Sequence, residues 1–290
     1  MKKTKSQTAM LTWRRAVCYI VLVVLALLSL FPFYIMIVNA TRSHPQIQSG
    51  FSILPGRQFW THIKEFMDPA SRTGTNYPIF RGLANSLFVG LCTAAITTYF
   101  SAMTAYGVYM YNFKGKKAAF RFILAVMMVP TQVSTLGFLR LIDKLGLMNS
   151  YVPLIVPAVA SPVVFFYMYQ TMEATLPYSI VEAARIDGCN EFRTFNMVVC
   201  PMLKPAFAVQ AIFSFVGSWN NYFIPALVIS DKERWTVPIV IANARSADYM
   251  QFDLGIVYTL MTAAVLPLIV IYFLLSRYII GGVTAGSVKE

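Results

Sequence analysis

Six stretches of this chain contain no Asp, Glu, Lys or Arg, and each is long enough to cross a lipid bilayer as a helix, which takes about 20 residues. They cover residues 16–41, 82–113, 122–139, 145–172, 205–230 and 254–276. Charged residues make up 12% of the chain, against about 25% in a typical soluble domain. We therefore predict an all-α polytopic membrane protein whose six transmembrane helices occupy residues 16–276.

Prolines fall inside two of these stretches. The third and shortest contains Pro130, and the fourth contains Pro153, Pro157 and Pro162. A proline in a span leaves a carbonyl without its helical partner, which is tolerated where neighbouring helices satisfy that carbonyl. We expect both spans to pack inside a helix bundle and to be kinked.

The first stretch has two possible interpretations. Its basic start and residues 38–40 (Val-Asn-Ala) are similar to those of a cleaved signal peptide. The apolar core of a signal peptide is about 7–15 residues long, which is much shorter than the stretch 16–41. The length favours an uncleaved first span.

Positive charge predicts the orientation of the chain. Residues 1–15 and the gap 114–121 contain several Lys and Arg and no acidic residue. Such segments are retained in the cytoplasm, so we predict a cytoplasmic N-terminal segment (1–15) and a cytoplasmic tail (277–290). The net charge of +12 would also suit nucleic-acid binding, but the charges lie between the apolar stretches, so membrane topology explains them better.

Catalytic and metal-binding motifs are missing from the sequence. It has neither the phosphate loop G-x-x-x-x-G-K-[ST] nor the dinucleotide motif G-x-G-x-x-G. His44 and His62 are 18 residues apart, a spacing typical of no metal site, and we expect both at the surface of an outer loop. We predict no enzyme, no metal and no disulfide framework. Either something outside this chain supplies the energy for transport, or the protein is a passive path.

The predicted inner segment 173–204 is too patterned for a simple turn. Ser179 and Glu182 have the spacing of a capping box, which predicts a helix of about nine residues from Ser179 to a break at Gly188. Its residues Ile180, Ala183 and Ala184 should share one face. A second helix with a stripe of Phe192, Phe195 and Val199 should end at Pro201. On pattern alone, an amphipathic helix lying on the inner leaflet stays an alternative.

The same segment carries a family resemblance. Residues 176–188 read L-P-Y-S-I-V-E-A-A-R-I-D-G and resemble the EAA signature of ABC importer permeases, with Phe195 and Pro201 at the positions of its phenylalanine and proline. Three more stretches are similar to the carbohydrate branch of this family: 85–87 (N-S-L), 219–221 (W-N-N) and 282–289 (G-V-T-A-G-S-V-K). The resemblance covers nearly the whole chain and implies the permease fold of a maltose-type, type I importer.

The resemblance implies a complex of several subunits in the lipid bilayer of the cytoplasmic (inner) membrane of a prokaryote. The expected partners are a second homologous permease, two cytoplasmic ATPase subunits and an external sugar-binding protein, with no nucleic acid. ATP and Mg²⁺ would bind to the ATPase subunits, and this chain would bind no cofactor. The EAA helix of the family couples the permease to the ATPase. The coupling residues it implies here are Glu182, Ala183, Ala184, Asp187 and Gly188.

The function that follows from the resemblance is ATP-driven import of a carbohydrate, with an oligosaccharide favoured. Two alternatives stay open. One is an ABC importer permease for another small solute, such as a polyamine, phosphate or a peptide. The other is a membrane receptor or channel that works without an ATPase.

The predicted outer loop 231–253 mixes apolar residues with charges. A loop in water has little reason to expose so many apolar side chains unless a partner covers them. The resemblance implies that the sugar-binding protein docks here, and Trp235, Ile241 and Tyr249 are the candidate contacts. The alternative is a loop that folds back on its own helix bundle.

Trp219, Asn220 and Asn221 lie past the middle of the fifth stretch. Two amides inside an apolar helix are costly unless they find partners or water. Sugar hydroxyls bind amides and a sugar ring packs on tryptophan, so these residues are candidates for the substrate path. An interfacial tryptophan and amides that bond to a neighbouring helix are the alternatives.

The second stretch contains a ladder of small residues. Ser86, Gly90 and Ala94 are each four positions apart, so they lie on one face of a helix. Small residues at this spacing let a second helix approach closely. We expect helix packing here in preference to contact with cargo.

Overall fold

The computed structural model describes residues 2–67, 78–246 and 253–287, and the described chain is mostly helical. The helices are α1 (Lys2–Ala40), α2 (His44–Gln48), α3 (Phe59–Met67), α4 (Ile79–Met110), α5 (Lys116–Val126), α6 (Thr131–Lys144), α7 (Val152–Ile155), α8 (Pro162–Thr175), α9 (Tyr178–Ile186), α10 (Glu191–Thr194), α11 (Cys200–Met202), α12 (Lys204–Trp219), α13 (Phe223–Val228), α14 (Val237–Arg245) and α15 (Leu254–Ser287). Short 3₁₀ turns cover Val156–Val159 and Lys232–Arg234, and a π turn covers Phe195–Val199.

The described residues divide into two compact units. The first unit contains residues up to 67 together with 243–246 and 253–263, and the second contains 78–242 and 264–287. The predicted inner segment and most of the candidate site residues belong to the second unit.

Four segments in the described part of the chain are long and apolar enough to cross a membrane. They are Arg15–Ala40, Ile79–Met110, Val152–Thr175 and Leu254–Leu274, and they overlap the first, second, fourth and sixth predicted stretches. The helices Glu191–Met202 and Lys204–Trp219 meet at an angle of 85°, and the pair counts as a fifth candidate only if it is a single span. The count of six stays a prediction.

The predicted third span, 122–139, is broken rather than kinked. Helix α5 ends at Val126, and α6 begins at Thr131, directly after an extended Pro130 with φ −62° and ψ 126°. Proline has no N–H to donate, and its ring disfavours the helical conformation for the residue before it. The stretch therefore does not continue through Pro130 as one helix, and the expectation of a single kinked helix is wrong.

Helix α4 forms the centre of the second unit, where it packs most extensively against α12 and α8. Its small residues Ser86, Gly90 and Ala94 are all buried. A Cβ placed on Gly90 would lie 2.7 Å from a ring carbon of Phe215 on α12. The expected close helix approach is confirmed, because the absent side chain of Gly90 leaves the space that the Phe215 ring occupies.

Of the two histidines in the first unit, which were both predicted at the surface, one is buried. His62 is 4% exposed, and its Nδ1 lies 3.0 Å from the Ala40 carbonyl oxygen and 3.2 Å from the Thr259 hydroxyl. Nδ1 of His44, which is partly exposed, accepts a hydrogen bond from the Leu254 N–H at 3.1 Å. The prediction of a surface position is wrong for His62, because the Ala40 carbonyl and the Thr259 hydroxyl, which are distant in sequence, give its ring polar partners in a buried site.

Candidate functional site

Helix α9 opens the predicted inner segment of the chain. It spans nine residues, Tyr178–Ile186, and its N-cap is Pro177, with no side-chain cap hydrogen bond. The predicted length is confirmed, but the capping box of Ser179 and Glu182 is wrong. The chain turns directly from the extended Pro177 into the helix, so Ser179 lies inside the first turn instead of before it.

The C-terminus of α9 is a Schellman turn around Gly188. The Gly188 N–H donates to the Arg185 carbonyl at 3.0 Å, and the Cys189 N–H donates to the Ala184 carbonyl at 3.0 Å. Gly188 has φ +82°, and no atom lies within 4 Å of a Cβ placed on it. The predicted break at Gly188 is confirmed, and its cause is the left-handed backbone rather than crowding.

Helix α9 presents different residues to the core and to solvent than the pattern predicted. Val181 and Ala184 are buried, whereas Ile180 and Ala183 are exposed, so the predicted common face of Ile180, Ala183 and Ala184 is split. Ile186 is 87% exposed beside the turn, and sequence reasoning did not single it out.

Apolar and aromatic contacts anchor this segment to the ends of α4 and α8. The anchoring core contains Leu176, Val181, Phe195, Val199, Ala102, Met168 and Met172. The Tyr109 hydroxyl donates to the Leu176 carbonyl at 3.0 Å, and the Tyr109 and Tyr178 rings stack at 4.8 Å. Phe192, which was predicted on the same stripe as Phe195 and Val199, is exposed instead.

A charged network joins α9 to α10. The Arg185 Nε donates to Oε1 of Glu191 at 2.7 Å, and the Tyr106 hydroxyl donates to Oε2 at 2.9 Å. The Arg185 guanidinium lies 5.4 Å from the centre of the Tyr111 ring. Burial disfavours the charged form of Glu191, but hydrogen bonds from Tyr111, Arg185 and Tyr106 outweigh burial and lower the pKa of Glu191. The sequence did not reveal this network, because Tyr106 and Glu191 are 85 residues apart.

The candidate substrate-path residues lie at a helix break. Helix α12 ends at Trp219, which is 3% exposed and stacks on Phe215 with ring centres 5.5 Å apart. Asn220 and Asn221 follow it outside any helix and are exposed. The prediction that these amides lie within an apolar helix is wrong, and a buried Trp219 does not fit the alternative of an interfacial tryptophan.

The predicted outer loop folds back on its own unit over residues 231–242. Val237, Ile239 and Val240 are buried, and the Val237 N–H donates to the Ser86 hydroxyl at 2.8 Å. Contrary to the prediction, these apolar residues therefore need no partner protein to cover them, and the alternative of a loop folded back on its own helices holds for residues 231–242. Trp235 and Ile241 are partly exposed, and Tyr249 lies outside the described residues.

Comparison with known proteins identifies the family. Residues 79–284 match the model of the binding-protein-dependent transport system inner membrane component. This chain belongs to that family. The permease is therefore a membrane-spanning transport subunit of an ABC importer and not an enzyme, and it works with an ATPase and a binding protein. A receptor or channel without an ATPase does not fit the family.

Individual relatives resemble the permease over almost its whole length. The arabinooligosaccharides transport system permease protein AraQ of Bacillus subtilis (strain 168) is 33% identical over 274 residues, which cover 91% of this chain and 92% of AraQ. The lactose transport system permease protein LacG of Rhizobium radiobacter is 28% identical over 271 residues, covering 93% and 95%.

A solved structure has the same fold. It is the crystal structure of a bacterial ABC transporter involved in the import of the acidic polysaccharide alginate, and it matches with a TM-score of 0.74 and 19% identity over 91% of the permease and 95% of that chain. The predicted fold class, an all-α membrane permease of an ABC importer, is confirmed.

The Glu191 network predicts how the stability of the permease depends on pH. Because the pKa of Glu191 is lowered in the folded state, its stabilising contribution is present above the unfolded pKa and is lost as the pH falls through the folded pKa. Glu191→Gln should remove this contribution. The effect should stay below about 1 kcal/mol, because both side chains of the Arg185–Glu191 pair are more than a third exposed.

Thermal unfolding in detergent between pH 7 and pH 3 measures this effect. As the pH is lowered, the unfolding temperature of the native permease should fall more steeply than that of the Glu191→Gln variant. The control is Glu182→Gln, which removes the same charge from an exposed position of the same segment. Parallel curves for the native protein and Glu191→Gln would contradict the assigned role.

Proposed function

We propose that this permease translocates an oligosaccharide. The observation that carries the proposal is the 33% identity, over 91% of the chain, to a permease of an arabinooligosaccharide transport system. The exposed amides after Trp219 suit the same cargo, because sugar hydroxyls bind well to amide groups. An oligosaccharide is therefore the cargo to test first.

Uptake into proteoliposomes tests the proposed cargo. The permease is reconstituted with its partner permease, the ATPase and the binding protein, and it is offered oligosaccharides, monosaccharides, a polyamine, phosphate and a peptide. We expect ATP-dependent uptake of an oligosaccharide only when the binding protein is present. The proposal would be overturned if phosphate, a polyamine or a peptide were taken up in an ATP-dependent manner while no sugar was taken up.

The proposed assembly contains a second homologous permease, two ATPase subunits that hold ATP and Mg²⁺, and one external sugar-binding protein. Coupling to the ATPase is assigned to the turn at the end of α9. The proposed coupling residues are Glu182, Ala183, Ala184, Asp187 and Gly188. Glu182, Ala183 and Asp187 are exposed around this turn, whereas Ala184 is buried beneath it. The adjacent exposed Ile186 supports the assignment, because it offers an apolar contact for a cleft in a partner.

Docking of the binding protein is assigned to the segment around Trp235, with Ile241 and Tyr249 as further contacts. The partly exposed Trp235 follows three exposed charged residues, Lys232, Glu233 and Arg234, and this mixture is typical of an interface rim. Trp235→Ala should lower the stimulation of ATP hydrolysis by the loaded binding protein and leave basal hydrolysis unchanged. Unchanged stimulation would count against this docking segment.

The substrate path is assigned to the break formed by residues 220–222. Non-helical backbone at membrane depth is tolerated only where protein buries it or where it lines a water-filled cavity. Asn220 and Asn221 are exposed within this chain, so their amides are available to a cargo in the path or to the partner permease.

Alanine substitutions separate these two roles of the amides. Asn220→Ala and Asn221→Ala should change which oligosaccharides are carried, by several-fold in relative uptake, while the complex stays intact. The control Gln170→Ala removes an exposed amide from α8 and should leave the preference unchanged. Lost assembly with unchanged preference would instead place the amides in the permease–permease interface.

We also propose that both termini are cytoplasmic and that the chain crosses the membrane six times. The acid-free basic segments 1–15 and 114–121 support this orientation. In a variant without native cysteines, a membrane-impermeant maleimide added from outside should label Ser49→Cys and not Lys114→Cys. The reverse labelling pattern would refute the orientation.

A further inference from the structure

A basic pocket lies where α4 and α8 end and α5 begins. It has a volume of about 350 Å³ and is lined by Val108, Asn112, Lys116, Lys117, Phe120, Arg121 and Tyr169. All of these residues belong to the second unit. The coupling turn, the docking segment and the helix break described above contribute no residue to this basic pocket.

The cations of the basic pocket have no acidic partner in the described part of the chain. The ion pairs found there join Arg81 to Glu233, Arg185 to Glu191 and Arg234 to Asp231. The Lys116 ammonium donates to the Tyr109 carbonyl at 3.0 Å, whereas Lys117 and Arg121 are exposed. Three cations around one cavity repel each other, so an anion between them would be stabilised.

The α5 helix adds to this preference for an anion. Lys116 and Lys117 lie in its first turn, which contains no acidic residue, and the N-cap Gly115 has no side chain to satisfy the free N–H groups. Positive charge is unfavourable at the N-terminus of a helix because it adds to the positive end of the helix dipole. A bound anion would relieve both effects.

The floor of the basic pocket is apolar and aromatic. Val108 is buried, and the Phe120 ring lies 4.8 Å from the Tyr169 ring and 6.0 Å from the Phe165 ring, centre to centre. A small hydrated anion gains nothing from such a floor. The combination of a cationic rim and an apolar floor suits a ligand that has an anionic head and a hydrocarbon tail.

The position of the basic pocket fits such a ligand. Segments Ile79–Met110 and Val152–Thr175 are long and apolar enough to span the membrane. The basic pocket lies at the C-terminal end of the first and beside the last two turns of the second, and the ends of spanning segments fall where hydrocarbon gives way to water. Lipid headgroups are concentrated at this level, and basic pockets between spanning helices bind anionic headgroups.

We propose that the basic pocket binds an anionic phospholipid. The lipid phosphate lies between Lys117 and Arg121, Asn112 bonds to the polar part of the headgroup, and the start of an acyl chain lies on Phe120. Arg121 suits this role, because a guanidinium forms paired hydrogen bonds with phosphate oxygens. The source of the phosphate is the bilayer and not a soluble anion.

Native mass spectrometry of the purified full-length permease tests the proposal. Phosphatidylglycerol and phosphatidylcholine with identical acyl chains are added in equal amounts, and the bound lipids are counted. Phosphatidylglycerol should be preferred, and Lys117→Gln/Arg121→Gln should weaken its binding about tenfold or more, given the usual contribution of each cation near a membrane surface. The charge-conserving variant Lys117→Arg, which keeps Arg121, should keep most of the binding, which also checks that the region tolerates substitution.

A matched control distinguishes binding by the basic pocket from a general effect of the permease's net positive charge. Lys114→Gln/Arg140→Gln removes two exposed positive charges that do not line the basic pocket, and it should bind phosphatidylglycerol like the native protein. Equal losses in the two double variants, or no loss in the pocket variant, would overturn the proposal.

Two further results would reassign the basic pocket. Displacement of phosphatidylglycerol by millimolar inorganic phosphate, but not by chloride at equal ionic strength, would show a site for a soluble anion. Unchanged lipid binding together with loss of the copurifying ATPase from Lys117→Gln/Arg121→Gln would show a protein interface. Either result would overturn the lipid assignment.

Discussion

Gly90→Leu should strongly lower the stability and yield of the permease, whereas Gly107→Leu should change both very little. Both glycines lie on α4, so the change in helix propensity is the same. A Cβ on Gly90 would lie 2.7 Å and 2.9 Å from two carbons of the Phe215 ring, whereas one on Gly107 would meet no atom within 4 Å. Overpacking of this kind destabilises by about 1–3 kcal/mol, and a whole leucine side chain at the contact of α4 and α12 should reach the upper end.

Fluorescence-detected size-exclusion chromatography after heating measures the effect in detergent. The double variant Gly90→Leu/Phe215→Ala should recover part of the lost stability, because alanine vacates the space of the ring. A Gly90→Leu variant as stable as Gly107→Leu would contradict the packing role. A stable variant with altered sugar preference would instead show that this face of α4 lines the path.

Gly188→Val should abolish most transport while the permease still inserts and assembles. No atom lies within 4 Å of a Cβ at this position, but Gly188 has φ +82°, which costs an L-residue about 1–2 kcal/mol and a β-branched one more. A penalty of that size lowers the population with the native turn roughly five- to thirtyfold. Because Ile186 and Asp187 flank the turn, their positions should change with it.

Transport and ATP hydrolysis stimulated by the loaded binding protein should therefore fall together in Gly188→Val. Asp187→Ala should act in the same direction by removing a hydrogen-bond acceptor from the same surface. The control is Gly146→Val, because Gly146 also has a positive φ (+67°) and open space around it but lies in the turn after α6. Normal transport in both Gly188→Val and Asp187→Ala would show that this turn does not couple the permease to the ATPase.

Long apolar segments and local turns could be predicted from the sequence. A chain crossing a bilayer must satisfy its backbone hydrogen bonds internally, so long uncharged stretches are mostly helical. The third and fifth stretches are nevertheless interrupted, after Val126 and after Trp219. The length of α9 and the break at Gly188 follow from equally local chemistry, because glycine is the residue that most readily adopts a left-handed backbone. The EAA signature carried the family assignment, since its residues are consecutive in the chain.

Contacts between distant residues were decided by the tertiary structure. His62 is buried because its partners Ala40 and Thr259 come from other parts of the chain, and Glu191 binds Tyr106 across 85 residues. Residues 237–240 were expected to need a partner protein to cover their apolar side chains. Instead, the Val237 N–H donates a hydrogen bond to the Ser86 hydroxyl on α4, and the side chains of Val237, Ile239 and Val240 are buried within the permease. Hydropathy and periodicity indicate which side chains avoid water, but they do not indicate which neighbouring surface buries those side chains. That surface exists only after the helices have packed. The sequence alone therefore predicted the family and four of the long apolar segments, while the packed structure decided where helices break and which residues stay exposed for partners.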